Sequence, residues 1–127
     1  FVSNFTAKGA EIICVITNDG WWHNSPGHKQ HNMLSQIRAI ENRRSIARSA
    51  NTGISCVINQ KGEIVERLDW DKEGAISATL NRNKDITFFV KYGDLIGRVS
   101  IFMVIGLFLY ALVSMLKFKG ALPNTKK

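Results

Sequence analysis

The chain has 127 residues, 45% of them hydrophobic and 21% charged, with a formal net charge of +7. Ten glycines, two prolines and two cysteines exclude collagen-like, low-complexity and disulfide-scaffold chains. The charge would suit a nucleic-acid binder, but residues 1–94 carry 12 Lys/Arg against 10 Asp/Glu, while residues 95–127 carry five and none. The excess belongs to the C-terminal segment, and nucleic acid is not an expected partner.

Phe1 to Lys8 reads as the end of a helix closed by Gly9, because glycine readily takes the left-handed conformation past a helix end. Glu11–Thr17 (EIICVIT) is short, β-branched and nearly all apolar, the pattern of a strand buried on both faces. Cys14 at its centre reads as a small core hydrophobe, as does Cys56 further on. A reactive thiolate needs a nearby base and an exposed, electropositive setting, and neither sequence context offers one.

Asn18–Gly27 (NDGWWHNSPG) is dense in turn formers and reads as a loop. It leaves the C-terminal end of a buried strand, where open α/β sheets place their ligands. Trp21 and Trp22 cannot both be buried by one strand or helix face. Either the loop plugs a sheet edge, or it lines a substrate path or dips into the membrane interface, which indole favours. His23, His28 and His31 are the only histidines. Their spacing fits no compact zinc motif, so they read as solvated or loop-packing residues and no metal is expected.

Gln30–Arg44 carries Met33, Leu34, Ile37 and Ile40 at helical spacing. Arg38 and Glu41 stand i, i+3 on that helix as a surface ion pair, and Arg43, Arg44 and Arg48 read as a solvated basic edge. Alternatively, Arg38 and Glu41 brace the loops of a site from below. Ile46–Ala50 and Ile54–Ile58 read as strands on either side of Asn51-Thr52-Gly53. Asn59-Gln60-Lys61-Gly62 is a hairpin turn into Glu63–Leu68. Ala75–Leu80 reads as one more strand, and Ile86–Val90 leads towards the C-terminal segment. Strand, helix, then several strands is the order of an α/β layered domain.

Val99 to Leu116 is an 18-residue run without a charge. At about 1.5 Å per residue it spans roughly 27 Å, close to the ~30 Å hydrocarbon core of a bilayer. Leu95 and Ile96 extend it past Arg98, which can snorkel. A transmembrane helix over 95–117 is expected, followed by a basic tail over 118–127. Lys117, Lys119, Lys126 and Lys127 outnumber Lys91 and Arg98 on the other side, so the positive-inside rule places the C-terminus in the cytoplasm and residues 1–94 outside. With no initiator Met or signal peptide on an exported domain, the chain is expected to be the C-terminal piece of a longer membrane protein.

NDGWW-x-NSPG, then QHNMLSQIRAIENRRSIARSANTGIS, then FFVKYGD before a final membrane helix closely resemble the C-terminal part of the bacterial apolipoprotein N-acyltransferase family. The resemblance covers nearly all of residues 9–116. It implies the C-terminal part of a nitrilase-like (carbon–nitrogen hydrolase) α-β-β-α sandwich, periplasmic over 1–94, followed by one transmembrane helix in the bacterial inner membrane.

The resemblance further implies a two-step acyl transfer without a cofactor. A Cys thiolate takes an acyl chain from a phospholipid donor, and the α-amine of a lipid-modified apolipoprotein acceptor then attacks the thioester. The family's Cys-Glu-Lys set is expected upstream of Phe1, with Cys14 not matching the nucleophile, so this segment is expected to be inactive alone. Asn18, Asp19, Trp21 and Trp22, with Gly20, match the family's substrate loop. Glu41 matches the acidic residue of the helix beneath the site, and Asn51, Thr52 and Gly53 match the loop at the sheet edge. His23 stands where the family commonly has glycine. A membrane-tethered nitrilase-fold amidase and a non-catalytic membrane-anchored fragment are the alternative readings.

Overall fold

The computed structural model describes residues 1–120, with side chains as far as Lys117. The expected basic tail over 118–127 lies outside the described residues, apart from helical backbone as far as Gly120. Two compact units divide the chain, one running from Phe1 to Gly93 and the other beginning at Asp94.

In the first unit, β1 (Ile12–Asn18), β2 (Ser45–Asn51), β3 (Ser55–Ile58) and β4 (Ile64–Leu68) form one mixed sheet in that order. β1 and β2 are parallel, so the chain needs a crossover between them, and α2 (Pro26–Asn42) supplies it. The other pairs are antiparallel. Asn59 makes the β3–β4 turn: its side-chain oxygen accepts from the N–H groups of Lys61 (2.9 Å) and Glu63 (3.0 Å), and Gly62 takes φ +85°. A short α1 (Val2–Ala7) precedes the sheet, and Gly9 follows it at φ +99° as expected.

Side chains alternate across the strands, and the register Ile13↔Ile46↔Ile58 puts these three on one sheet face. Ile46 and Ile58 form the core with Ile54, Cys56 and Ala39 of α2, and Ile13, Val15 and Ile64 pack against it. The other parity of β1 is open. Ile16 is 90% exposed, and Ile12 and Cys14 are exposed as well. The expectation that β1 is buried on both faces is therefore corrected, because β1 is an edge strand covered on one side only. Cys14 is likewise not a core residue. Cys56 is, and burial pushes its thiol pKa up. A maleimide should accordingly modify Cys14 in the folded chain and reach Cys56 only after unfolding. Equal rates at the two thiols would contradict this packing.

The orientation of α2 also departs from expectation. Met33, Leu34, Ile37 and Ile40 lie on its outer face, 44–57% exposed. The buried residues are His28, Asn32, Ser35, Ala39 and Asn42. The sheet face beneath carries Arg48, whose guanidinium needs oxygen partners that an apolar helix face could not provide. Arg44 and Arg48 are both buried rather than forming a solvated edge. Arg44 donates to the carbonyls of Ala10 (2.7 Å), Asn42 (3.0 Å) and Asp85 (2.9 Å).

Ala75–Leu80 is not a strand, and no regular element lies between Leu68 and Phe88. This segment is held by isolated bonds instead of a ladder. The Asn81 carbonyl accepts from Ser45 Oγ at 2.9 Å, and Asn83 N–H donates to the Glu11 carbonyl at 3.3 Å. It leads to α3 (Phe88–Tyr92), capped by the Thr87 hydroxyl, which accepts from Val90 N–H at 3.1 Å. In the second unit, α4 (Leu95–Gly120) includes Leu95–Lys117, a stretch long and apolar enough to cross a membrane, with none of its most apolar window buried.

Candidate functional site

The C-terminal ends of β1 and β2 are neighbours because the strands are parallel and in register to Asn18↔Asn51. The loops that leave these two ends meet. After β1, the Asn18 side-chain oxygen accepts from Gly20 N–H at 3.0 Å, an Asx turn. One 3-10 turn follows over Gly20–Trp22, in which Trp22 N–H donates to the Asp19 carbonyl at 3.1 Å. His23 leaves this turn at φ +49° and ψ −163°. That combination is almost reserved for glycine and costs another residue about 1–3 kcal/mol. His23 holds this backbone shape under strain.

Ser25 then caps α2, its hydroxyl accepting from Gly27 N–H at 3.3 Å, and Pro26 takes the first helical position. Trp22 lies directly on Gly27, where a Cβ would come 2.5 Å from Cε3 and 2.9 Å from Cδ2 of the indole. Only glycine lets the ring close onto the first turn of the helix. Trp22, Gly27, Gln30, His31 and Leu34 line an open, mainly apolar cavity of about 280 Å³. Trp22 is 44% exposed and Trp21 74%.

Beneath the loop, Asp19 is completely buried. Its Oδ1 accepts from Thr17 Oγ1 (3.2 Å) and lies 2.8 Å from His31 Nδ1, and its Oδ2 accepts from Arg48 Nη2 at 2.7 Å. Arg48 is equally enclosed and donates also from Nη1 to Ser35 Oγ (3.0 Å) and from Nε to the Ile54 carbonyl (3.2 Å). Arg48 Nη2 lies 3.3 Å from His31 Nδ1, a longer separation than that to the carboxylate. Since the ionised carboxylate can only accept, we assign the Nδ1 proton to the shorter bond with Asp19, which leaves Nδ1 no acceptor role towards the guanidinium. Burial alone would raise the Asp19 pKa. The His31 hydrogen bond and the Arg48 charge outweigh it and hold the carboxyl below its usual range.

The β2–β3 loop closes over the same carboxylate. The Asn51 carbonyl accepts from Asp19 N–H (3.3 Å) and Gly53 N–H (2.7 Å), and Thr52 sits at φ +62°. A Cβ on Gly53 would stand 2.7 Å from Asp19 Cβ and 2.8 Å from its Cγ, so the position is filled by Asp19 itself. The Thr52 carbonyl in turn accepts from Asp71 N–H at 2.8 Å, just beyond Trp70, whose ring packs on His28 with centroids 4.3 Å apart.

The structure therefore brings Asn18, Asp19, Gly20, Trp22, Asn51, Thr52 and Gly53 together at one end of the sheet, with Trp21 alongside on the loop. Glu41 is elsewhere, ten residues beyond His31 and roughly 15 Å along α2 by helical rise. It pairs with Arg38, and its carbonyl accepts from Thr87 Oγ1 at 2.6 Å. His31, Ser35 and Arg48 were missed by sequence reasoning. One signal existed: Arg48 shares the inward parity of Ile46 on β2, and a charge placed there needs buried partners.

Over residues 3–85 the chain matches the family model described as carbon-nitrogen hydrolase. It is 35% identical over 100 residues to the apolipoprotein N-acyltransferase of Chlorobaculum tepidum, covering 79% of this chain and 19% of that protein. The corresponding protein of Thermotoga maritima is 34% identical over 101 residues, covering 80% and 20%. That of Agrobacterium fabrum is 41% identical over 81 residues, covering 64% and 15%. The chain thus spans a fifth or less of the length of these curated relatives.

Proposed function

The chain belongs to the carbon–nitrogen hydrolase family, and on that premise we propose that it is the C-terminal part of an apolipoprotein N-acyltransferase. The enzyme moves an acyl chain from a phospholipid, by way of a Cys thioester, to the N-terminal amine of a lipid-modified apolipoprotein. Residues 1–94 lie on the periplasmic side of the inner membrane, Leu95–Lys117 crosses it, and residues 118–127 reach the cytoplasm. The nucleophile, base and lysine lie upstream of Phe1.

One observation carries this reading. Two indoles, 74% and 44% exposed, stand on a loop that leaves the end of a parallel strand above a buried ion pair, in a chain that also possesses a helix able to span a bilayer. A hydrolase acting on small soluble amides has no use for such a loop, whereas a lipid acyl chain has to be drawn from the bilayer towards a thiolate. Asn18, Asn51 and Gly53 give the loop its shape, and Trp21 and Trp22 offer the chain an apolar wall. Glu41 supports the layer through Arg38 and Thr87.

The full-length protein, purified in detergent, should transfer a labelled acyl group from phospholipid to a diacylglyceryl-cysteine peptide. Hydrolysis of simple amides without transfer would replace this reading by the amidase. Trp22→Ala should reduce transfer from phospholipid by more than tenfold, about 1.4 kcal/mol of transition-state stabilisation. A short soluble acyl ester, which needs no guidance, should lose much less. Equal losses with the two donors would assign the indole to catalytic geometry and remove its role in lipid guidance.

A further inference from the structure

We propose that Asp19 is a positioning residue, and that the clasp His31–Asp19–Arg48 sets the place of Trp22 over its cavity and hence the capture of the lipid donor. This rests on the acyltransferase reading above. Asp19 is fully buried, and both its carboxylate oxygens already have donors from the protein, so it has nothing left to offer a substrate.

A buried carboxylate and guanidinium are a poor means of stabilising a sheet, because the desolvation of both ions offsets most of their attraction, and apolar residues of like volume do as well. What such a pair supplies is direction. Here the carboxylate is fixed from three sides. His31 holds Oδ1 from α2, Arg48 holds Oδ2 from β2, and the Gly53 backbone occupies the space against Cβ and Cγ. Arg48 is itself fixed by Ser35 and the Ile54 carbonyl. The Asp19 carbonyl receives the Trp22 N–H, so the indole is one turn of backbone away from the clamped carboxylate.

His31 joins the two ends of this arrangement. It binds Asp19 through Nδ1 and also lines the cavity with Trp22, Gly27, Gln30 and Leu34. At 37% side-chain exposure it is the accessible member of the clasp, and its removal leaves the Asp19–Arg48 pair intact. The cavity wall and the loop anchor therefore share one side chain.

The experiment uses the full-length enzyme labelled with 5-fluorotryptophan, the Trp22 resonance being assigned with Trp22→Phe. His31→Ala should shift or broaden that resonance and raise KM for phospholipid at least fivefold, with a smaller change in kcat for the same donor. His31→Asn, whose amide N–H can take the place of Nδ1–H towards Asp19, should recover both the resonance and KM. An unmoved Trp22 signal with unchanged KM in His31→Ala would overturn the clasp. So would His31→Asn with a native Trp22 signal and activity as poor as His31→Ala, since the imidazole would then act on substrate directly. If the unaltered enzyme transfers no acyl group, the function proposed above fails, and the Trp22 resonance in His31→Ala and His31→Asn alone decides whether the clasp holds the loop.

Discussion

Arg48→Ala is expected to destabilise the unit Phe1–Gly93 by about 3–5 kcal/mol, the effect of leaving a buried ion without its partner. The guanidinium is 1% exposed and its partner carboxylate fully enclosed, so no solvent can replace what is lost. Three acceptors lose donors at once: Asp19 Oδ2, Ser35 Oγ and the Ile54 carbonyl. A stability of this size is a large share of what a domain of such length possesses, and part of the protein should be unfolded at 37 °C. Urea titration followed by tryptophan fluorescence measures it. Arg48→Met fills much of the volume and still strands Asp19, so it should recover little. Arg48→Met combined with Asp19→Leu should be less destabilising than the two single changes summed, because the residues share one interaction. A loss below 1 kcal/mol for Arg48→Ala would mean that water reaches the carboxylate and that the pair is not truly buried.

Gly53→Ala is the second large effect, at about 1–3 kcal/mol for a methyl forced into filled space. Its neighbours would be the Cβ and Cγ of Asp19, atoms fixed on their other side by Arg48 and His31. No flexible side-chain end is available to swing aside. Thermal unfolding should begin roughly 5–20 °C lower, by the usual relation between stability and midpoint for a domain of this size. Gly20→Ala offers a comparison in the same loop, since its Cβ would meet nothing closer than Asn18 Oδ1 at 3.2 Å. It should unfold within a few degrees of the parent. Equal shifts for the two variants would show that the loop, and not the Asp19 contact, sets the cost.

What could be read from the sequence was whatever rests on near neighbours in the chain. Gly9 after a helical turn, the Asn59–Gly62 hairpin and the uncharged run from Val99 to Leu116 each carry their own signal over a few residues. The Trp loop was legible as a loop, and its position at the end of β1 followed from the strand before it. The face of α2 was not. Periodicity separates Met33, Leu34, Ile37 and Ile40 from Asn32, Ser35 and Ala39 but does not say which set meets the sheet, and here a buried Arg48 selected the polar one. Ala75–Leu80 has the alternation of a strand, yet strand formation needs a partner edge, and the stretch after it is tied to other elements by single bonds at Asn81 and Asn83. The clasp was hidden because its bonds reach across 12 and 29 residues, beyond any local pattern.

The parallel pairing of β1 with β2 has a consequence for the order of folding. β2, β3 and β4 follow one another with short connections, so their antiparallel pairing closes small loops. β1 precedes β2 in the chain but is separated from it by the 26 residues between Asn18 and Ser45, α2 among them. Contacts of high sequence separation form slowly, since the entropy of closing the loop is spent before any pairing is gained. The meander should therefore assemble ahead of β1. Asp19 leaves the end of β1 and Arg48 belongs to β2, so their bond joins the early part of the fold to the late one. Until that step is complete, Arg48 stands among Ser35 and Ile54 without its counter-ion, and the two indoles are free of their anchor. Among these four strands, the seat of the Trp loop thus forms last, because β1 waits longest for its partner.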